Sequence, residues 1–213
     1  MDDGKDARPR PRHFSMLRDF QLADLFTLAN AICGMASVLS TMRWLVTRDA
    51  GALSTAFGLL PFALLFDVLD GRIARWRQKV SMLGQELDSL ADSVSFGVAP
   101  AVLAFALGMQ GALDGAVLVY FVACGISRLA RYNATAAQLS DDRGKVRYFE
   151  GTPIPTSLAL VLVMYVLHRA GRTGDALPGG AVAVLGMVLH PIALMFFVSG
   201  CAMISKTLRI PKP

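Results

Sequence analysis

Six apolar stretches, separated by short polar segments, set the pattern of this chain. Their predicted boundaries are residues 22–46, 52–71, 89–108, 113–134, 155–170 and 180–203. A helix that crosses a bilayer needs roughly 20 predominantly apolar residues. The pattern therefore predicts an all-α integral membrane protein built as a bundle of six transmembrane helices.

The segment that precedes the first stretch is polar. Residues 1–13 are rich in Asp, Arg and Pro, which predicts a disordered basic tail. Residues 14–21 allow two interpretations, either a short interfacial helix with Phe14, Leu17 and Phe20 on one side or the start of the first span. No internal repeat is present, so we expect residues 14–213 to form a single transmembrane domain.

The distribution of basic residues predicts the orientation. Hydrophobic residues make up 54% of the chain and charged residues only 17%, which is unusual for a soluble domain. All but four of the 21 Lys and Arg residues fall on one predicted side, the exceptions being Arg43, Arg48, Arg169 and Arg172. The positive-inside rule then places both termini in the cytoplasm. The net charge of +5 indicates contact with anionic lipid rather than nucleic acid, because no soluble module carries these charges.

Four aspartates interrupt the apolar pattern. Asp67 and Asp70 end the second stretch, and Asp88 and Asp92 begin the third. Acids at membrane depth are costly and mark functional sites. Spacings of three and four residues put each pair on one helix face. Because hard cations such as Mg²⁺ or Mn²⁺ prefer oxygen ligands and often bind phosphate as well, the pattern predicts a divalent-metal site for a phosphorylated substrate.

Other chemistries have less support. The three cysteines fall in predicted spans without CxxC spacing, so we interpret them as packing residues. The three histidines are scattered, which supports neither a histidine metal site nor a Ser/His/Asp triad.

The aspartates belong to a longer motif that resembles a known family. At every fixed position the chain matches the signature of the CDP-alcohol phosphotransferases, in the order Asp67-x2-Asp70-Gly71-x2-Ala74-Arg75-x8-Gly84-x3-Asp88-x3-Asp92. Flanking blocks resemble the phosphatidylserine synthase branch, especially its fungal type. They include Cys124-Gly-Ile-Ser-Arg-Leu-Ala-Arg-Tyr-Asn133 and Tyr148-Phe-Glu-Gly-Thr-Pro-Ile-Pro-Thr156. The resemblance begins near residue 13 and covers nearly all of the rest.

The resemblance implies an activity and roles for the motif. The phosphatidyl group of CDP-diacylglycerol would pass to the hydroxyl of L-serine, with release of CMP. Two divalent cations, Mg²⁺ or Mn²⁺, would be held by Asp67, Asp70, Asp88 and Asp92, and Asp92 would also be the general base. Gly71 and Ala74 would lie against the cytidine, with Arg75 and Gly84 nearby. Asn30, a polar residue within the first apolar stretch, would either face this nucleotide pocket or form an interhelical hydrogen bond.

The acceptor site is expected on the fourth helix. Arg is a natural partner for the serine carboxylate, and Arg128 and Tyr132, four residues apart, look like the family's serine-recognition element, with Arg131 beside them. The serine enzymes commonly have Phe where this chain has Tyr132. The alternative is that the two arginines anchor a helix end to lipid headgroups.

Two further expectations and two rival functions remain. The resemblance implies a homodimer in lipid, with the active site at the cytoplasmic face of a bacterial inner membrane or of the endoplasmic reticulum. Other members of the family use inositol or glycerol 3-phosphate, and only the flanking blocks favour serine. An ion-coupled transporter would also place acids in a membrane, but these aspartates cluster near one face.

Overall fold

A computed structural model describes residues 22–77, 82–139, 148–205, 207 and 209–211. The predicted basic tail at 1–13 and the segment 14–21 lie outside the described residues. The elements are α1 (Leu22–Thr47), α2 (Ala50–Arg77), α3 (Met82–Asp92), a π-helical turn (Ser93–Val98), α4 (Ala99–Ala106), α5 (Ala112–Leu139), β1 (Tyr148–Glu150), α6 (Ser157–Arg169), β2 (Val182–Val184), β3 (Met187–Leu189), α7 (Leu194–Ile204) and β4 (Arg209–Pro211). Short 3₁₀ turns precede α6 and α7.

Four helical segments are long and apolar enough to cross a bilayer. They span Ala23–Thr47, Ala50–Ile73, Leu83–Ala106 and Ala112–Thr135. The prediction of a mostly helical chain with apolar spans is thereby confirmed for the first four stretches. Two further apolar segments, Ile154–Arg169 and Pro191–Ile204, are shorter than the roughly 20 residues that a straight span needs. The count of six spans stays a prediction.

The first two helices form an antiparallel pair. At the start of α2, Asp49 Oδ1 accepts a hydrogen bond from the backbone N–H of Gly51 at 2.9 Å, which satisfies a donor that the helix itself leaves unpaired. Farther along, Ser37 Oγ donates to the carbonyl of Ala56 at 2.8 Å. The core beside this pair consists of fully buried apolar side chains that include Leu53, Leu60, Phe96, Leu103, Phe121 and Phe196.

The third span changes its helical form in the middle. The backbone N–H of Ala99 donates to the carbonyl of Val94, five residues back, and Pro100 follows directly. Proline has no N–H, and its ring crowds the carbonyl four residues earlier. We attribute the wider π turn at Ser93–Val98 to this conflict, which falls immediately after Asp92.

The sixth predicted helix, 180–203, is wrong over its first half. Residues 182–189 form an antiparallel hairpin in which Val184 pairs with Met187. The two residues between them, Leu185 and Gly186, both have positive φ, 52° and 77°, as a tight two-residue turn requires. Hydropathy alone predicts a helix for this apolar run, but the turn and the β-branched valines favour paired strands.

The bundle has two ends that differ in chemistry. What we call the aspartate end contains Asp67, Asp88 and the C-terminal part of α5, where Arg131 Nη1 donates to the carbonyl of Ile204 at 3.2 Å. The hairpin end contains the β2–β3 hairpin and the start of α5. There the buried Asp114 accepts hydrogen bonds from the backbone N–H and the Nδ1 of His190, at 2.7 and 2.6 Å.

Candidate active site

Three carboxylates converge at the aspartate end. Asp67 and Asp70 lie three residues apart on α2, and Asp88 comes from α3. Three carboxylate oxygens, one from each of these residues, all lie within 4.8 Å of one another. Oδ1 of Asp88 is buried and has no hydrogen-bond partner within the described ranges. Among the described residues none of the three forms a salt bridge. Carboxylate oxygens of this kind fit a hard divalent cation, which would offset both the mutual repulsion and the unpaired oxygen.

Asp92 lies one turn beyond Asp88, just before the π turn. Its side chain is 6% exposed, and its charge interacts with those of Asp67 and Asp88. It is not part of the group of three carboxylates described above. Asn30 Nδ2 donates a hydrogen bond of 3.1 Å to Asp92 Oδ1. Asp92 is therefore a buried acid, fixed by an amide, at the inner edge of the cluster.

Helix α1 supports two of the four acids. Thr27 Oγ1 donates to Asp70 Oδ2 at 2.8 Å, and Asn30, three residues later on the same face, holds Asp92. Ser95 Oγ in the π turn donates to the main-chain carbonyl of Asn30 at 2.9 Å. Of the two interpretations of Asn30 left open by the sequence, the structure contains the interhelical hydrogen bond. Our sequence analysis missed Thr27, although two polar residues three apart within an apolar span were a usable signal.

A second polar contact joins α3 to α5. Gln85 Nε2 donates to Asn133 Oδ1 at 3.2 Å, and Asn133 Nδ2 donates to Ser89 Oγ at 2.9 Å. This bridge lies close to the aspartates along α3 and holds α5 beside them. This contact was not predicted from the sequence, because polar residues near a helix end are ordinarily solvated.

The close approach of α1 to the third span depends on a glycine. A Cβ built on Gly34 would lie 2.7 Å from Ser95 Cα, closer than real side chains approach a backbone. Gly34 thereby lets α1 come near enough for Asn30 to reach Asp92.

The residues expected to contact CDP lie along the same two helices. Gly71 follows Asp70 directly, and a Cβ built on it meets no atom within 4 Å, so the backbone there is open to a ligand. Gly84 is half-buried in the first turn of α3. Ala74 and Arg75 belong to α2, but their side chains lie outside the description.

Arg128 and Arg131 on α5 differ in their surroundings. Arg128 is 7% exposed, and its charge interacts with Asp92. Its Nε is buried and has no hydrogen-bond partner among the residues that the structure describes. Its guanidinium lies 5.8 Å from the centre of the Tyr132 ring. Arg131 instead donates to the end of α7 through Nη1, while its buried Nη2 has no partner in the described part of the chain. Arg128 is thus a buried cation within electrostatic reach of Asp92, whereas Arg131 contacts α7.

The arrangement combines the parts that phosphoryl-type transfer requires. Clustered carboxylates can hold a cation, a separate buried acid can accept a proton, and a buried guanidinium can bind an anionic group. These groups come from α2, α3 and α5, and α1 supports two of the acids, so the site depends on the packing of the bundle.

The chain is similar in sequence to known proteins over most of its length. The model of the CDP-alcohol phosphatidyltransferase family matches residues 20–199. The chain is 49% identical over 204 residues to a CDP-diacylglycerol–serine O-phosphatidyltransferase of Saccharomyces cerevisiae, covering 94% of this chain and 74% of that protein. It is 34% identical to an archaetidylserine synthase of Methanothermobacter thermautotrophicus, covering 77% of this chain and 66% of that protein. It is also 35% identical to a CDP-diacylglycerol–serine O-phosphatidyltransferase of Mycobacterium leprae, covering 76% of this chain and 51% of that protein.

Proposed function

The chain belongs to the CDP-alcohol phosphatidyltransferase family, and on that premise we propose that it is a phosphatidylserine synthase. It transfers the phosphatidyl group of CDP-diacylglycerol to the hydroxyl of L-serine and releases CMP. The observation that carries this proposal is the Asp67, Asp70 and Asp88 cluster next to two further buried groups, Asp92 and Arg128.

The names of the relatives support serine as the acceptor. The proteins from yeast and M. leprae are named for serine and CDP-diacylglycerol, and the archaeal protein is named for archaetidylserine. The acceptor is common to the three names, whereas the lipid is not. The choice of diacylglycerol rests on the 49% identity to the yeast protein.

We assign the metal site to the four aspartates. Asp67, Asp70 and Asp88 would hold two divalent cations, Mg²⁺ or Mn²⁺, and Asp92 would complete the shell of the second. Cations held by these aspartates would supply positive charge that stabilises the charge developing on the pyrophosphate as its bond breaks. The open backbone at Gly71 admits the cytidine, together with Ala74, Arg75 and Gly84, as the resemblance to the family implies.

Asp92 is the general base in this proposal. Its carboxylate takes the proton of the serine hydroxyl while the hydroxyl oxygen forms a bond to the phosphorus of the phosphatidyl group. The bond from that phosphorus to the oxygen shared with CMP breaks, and CMP leaves with the electron pair. The hydrogen bond from Asn30 at 3.1 Å keeps the Asp92 carboxylate in one orientation for this transfer.

Arg128 is the proposed partner of the serine carboxylate. Its buried Nε has no partner among the described residues, and a guanidinium can bind a carboxylate with two parallel hydrogen bonds. Tyr132 packs near that guanidinium, and Arg131 borders the same end of α5. Arg128→Lys keeps the charge but loses the planar fork, so we expect the KM for serine to rise about tenfold or more, with the KM for CDP-diacylglycerol unchanged. Steady-state kinetics with each substrate varied in turn measures this difference.

The proposed setting is a membrane. Six spans place both termini and the aspartate end in the cytoplasm, and two copies form a homodimer with the acyl chains of the substrate left in lipid. Four helices of sufficient length and apolarity support the membrane part of this proposal. A cysteine introduced at Asp175, exposed at the hairpin end, should react with an impermeant maleimide only from the non-cytoplasmic side.

The test of the proposed function is transfer of labelled L-serine into chloroform-soluble lipid by the purified protein. The reaction contains CDP-diacylglycerol and Mn²⁺ or Mg²⁺, with inositol and glycerol 3-phosphate in parallel samples. We expect metal-dependent phosphatidylserine and CMP, reduced about 10²- to 10⁴-fold or more in Asp92→Asn. Asp175→Asn, an exposed aspartate at the opposite end, is the matched control.

Two results would contradict the proposal in different ways. Product from another alcohol alone would keep the family chemistry and overturn the assignment of serine to Arg128. Absence of CMP with every acceptor would overturn the transferase and favour an ion-coupled transporter, which releases no CMP.

A further inference from the structure

Two buried polar atoms, on residues that interact with Asp92, have no hydrogen-bond partner in the part of the chain that the structure describes. One is Oδ1 of Asn30, a residue with no exposed surface, and the other is Nε of Arg128. Asn30 is hydrogen-bonded to Asp92, and the charge of Arg128 interacts with the same carboxylate. One unpaired hydrogen-bond acceptor therefore lies on the residue bonded to the proposed base, and one unpaired donor lies on an arginine whose charge interacts with that base.

The orientation of the Asn30 amide follows from its neighbour. An ionised carboxylate only accepts hydrogen bonds, so the NH₂ group of Asn30 must face Asp92 and the carbonyl oxygen must point elsewhere. The bond from Ser95 ends on the main-chain carbonyl of Asn30 and leaves the side-chain oxygen unpaired. Buried polar atoms are nearly always paired, and each exception needs an explanation.

A ligand with both a donor and an acceptor would pair the two atoms. An α-amino acid is such a ligand, since its ammonium donates and its carboxylate accepts. We propose that Asn30 Oδ1 accepts a hydrogen bond from the ammonium group of the substrate amino acid, while Arg128 Nε donates a hydrogen bond to the carboxylate of that amino acid. Asn30 then selects amino-acid acceptors over hydroxy acids, in addition to orienting Asp92. This inference rests on the proposed transfer to serine, and it moves Asn30 from the nucleotide pocket to the acceptor site.

The test compares two acceptors that differ only in the ammonium group. L-Serine and 3-hydroxypropanoate share the hydroxyl and the carboxylate, and their lipid products can be separated when both acceptors compete in one reaction. A substitution that only displaces Asp92 slows transfer to both substrates equally, so the ratio of the two products does not change. Loss of a hydrogen bond to a charged group slows only serine, by about tenfold to a hundredfold.

Three variants of the full-length protein separate the roles of Asn30. Asn30→Ala removes the oxygen that accepts the hydrogen bond from the ammonium group. We expect the ratio of the serine product to the 3-hydroxypropanoate product to fall about tenfold or more. Asn30→Asp keeps an oxygen for the ammonium but loses the donor to Asp92, so turnover should fall while the ratio stays at or above the wild-type value. Thr27→Val, one turn away on α1, is the matched control and should slow both acceptors with the ratio unchanged.

The outcomes distinguish this inference from the proposed function. If the wild-type protein makes no lipid from serine, the proposed function fails. If it does, and Asn30→Ala slows both acceptors equally, the ammonium contact is wrong and the transferase stands. If Asn30→Ala does not fold, Asn30→Asp provides the test. A ratio of serine product to 3-hydroxypropanoate product well below the wild-type ratio in Asn30→Asp would overturn the inference.

Discussion

The hydrogen bond from Thr27 to Asp70 gives a sharp test of how α1 supports the metal site. The donor and acceptor are 3% and 6% exposed, and their oxygens are 2.8 Å apart. Thr27→Val keeps the shape of the side chain and removes the donor. A hydrogen bond to a charged group contributes about 1.5–3 kcal/mol, and loss of a residue that orients a metal ligand typically lowers metal affinity about 10- to 100-fold. Both lines of reasoning predict an effect of the same size.

The assay is the Mn²⁺ dependence of phosphatidylserine synthesis. We expect the Mn²⁺ concentration for half-maximal activity to rise about 10- to 100-fold in Thr27→Val, with much of the activity recovered at saturating Mn²⁺. A purely structural lesion would instead lower the activity at every metal concentration.

Thr41→Val is the matched control for this prediction. Thr41 is fully buried on the same helix, and its hydroxyl donates to the carbonyl of Ser37 at 2.8 Å. Thr27 makes a similar bond to the carbonyl of Ala23 at 3.2 Å, so the control accounts for the loss of that contact. Thr41 lies about 21 Å farther along α1 and should leave the metal dependence unchanged. The reasoning is refuted if both variants need the same Mn²⁺ concentration as the wild type.

Two further predictions concern packing. Gly34→Ala should destabilise the protein by about 1–3 kcal/mol, because the new Cβ would lie 2.7 Å from Ser95 Cα. Gly58→Ala is its control, since a Cβ there meets nothing within 4 Å; equal thermal unfolding temperatures in detergent would contradict the prediction. Asp114→Ala should also lower that temperature, because it leaves the two donors of the buried His190 unpaired at about 1–3 kcal/mol each. Unchanged unfolding would show that water replaces the carboxylate.

The sequence predicted the long helices and the shared faces of the aspartates because both depend on local spacing. Hydropathy identifies a span whatever surrounds it, and residues three or four apart share a helix face in any context. Asp67, Asp70 and Asp88 do come together at one end of the bundle. Their role as metal ligands remains a prediction.

The parts that the sequence did not predict depend on tertiary contacts or backbone choice. An apolar run does not by itself distinguish helix from strand, so the hairpin at 182–189 was assigned to a helix, although Gly186 was a turn signal. The bridge between Gln85, Asn133 and Ser89 joins residues more than 40 positions apart. No local pattern indicates such a pairing, and only the packed bundle shows which polar residues meet.

The central claim is that the clustered aspartates hold divalent metal, and titration of the purified protein with Mn²⁺ followed by electron paramagnetic resonance tests it most directly. The wild-type protein should bind Mn²⁺, and Asp88→Asn should weaken that binding about tenfold or more, while Asp175→Asn should match the wild type. Equal Mn²⁺ affinity in the wild type and Asp88→Asn would contradict the claim.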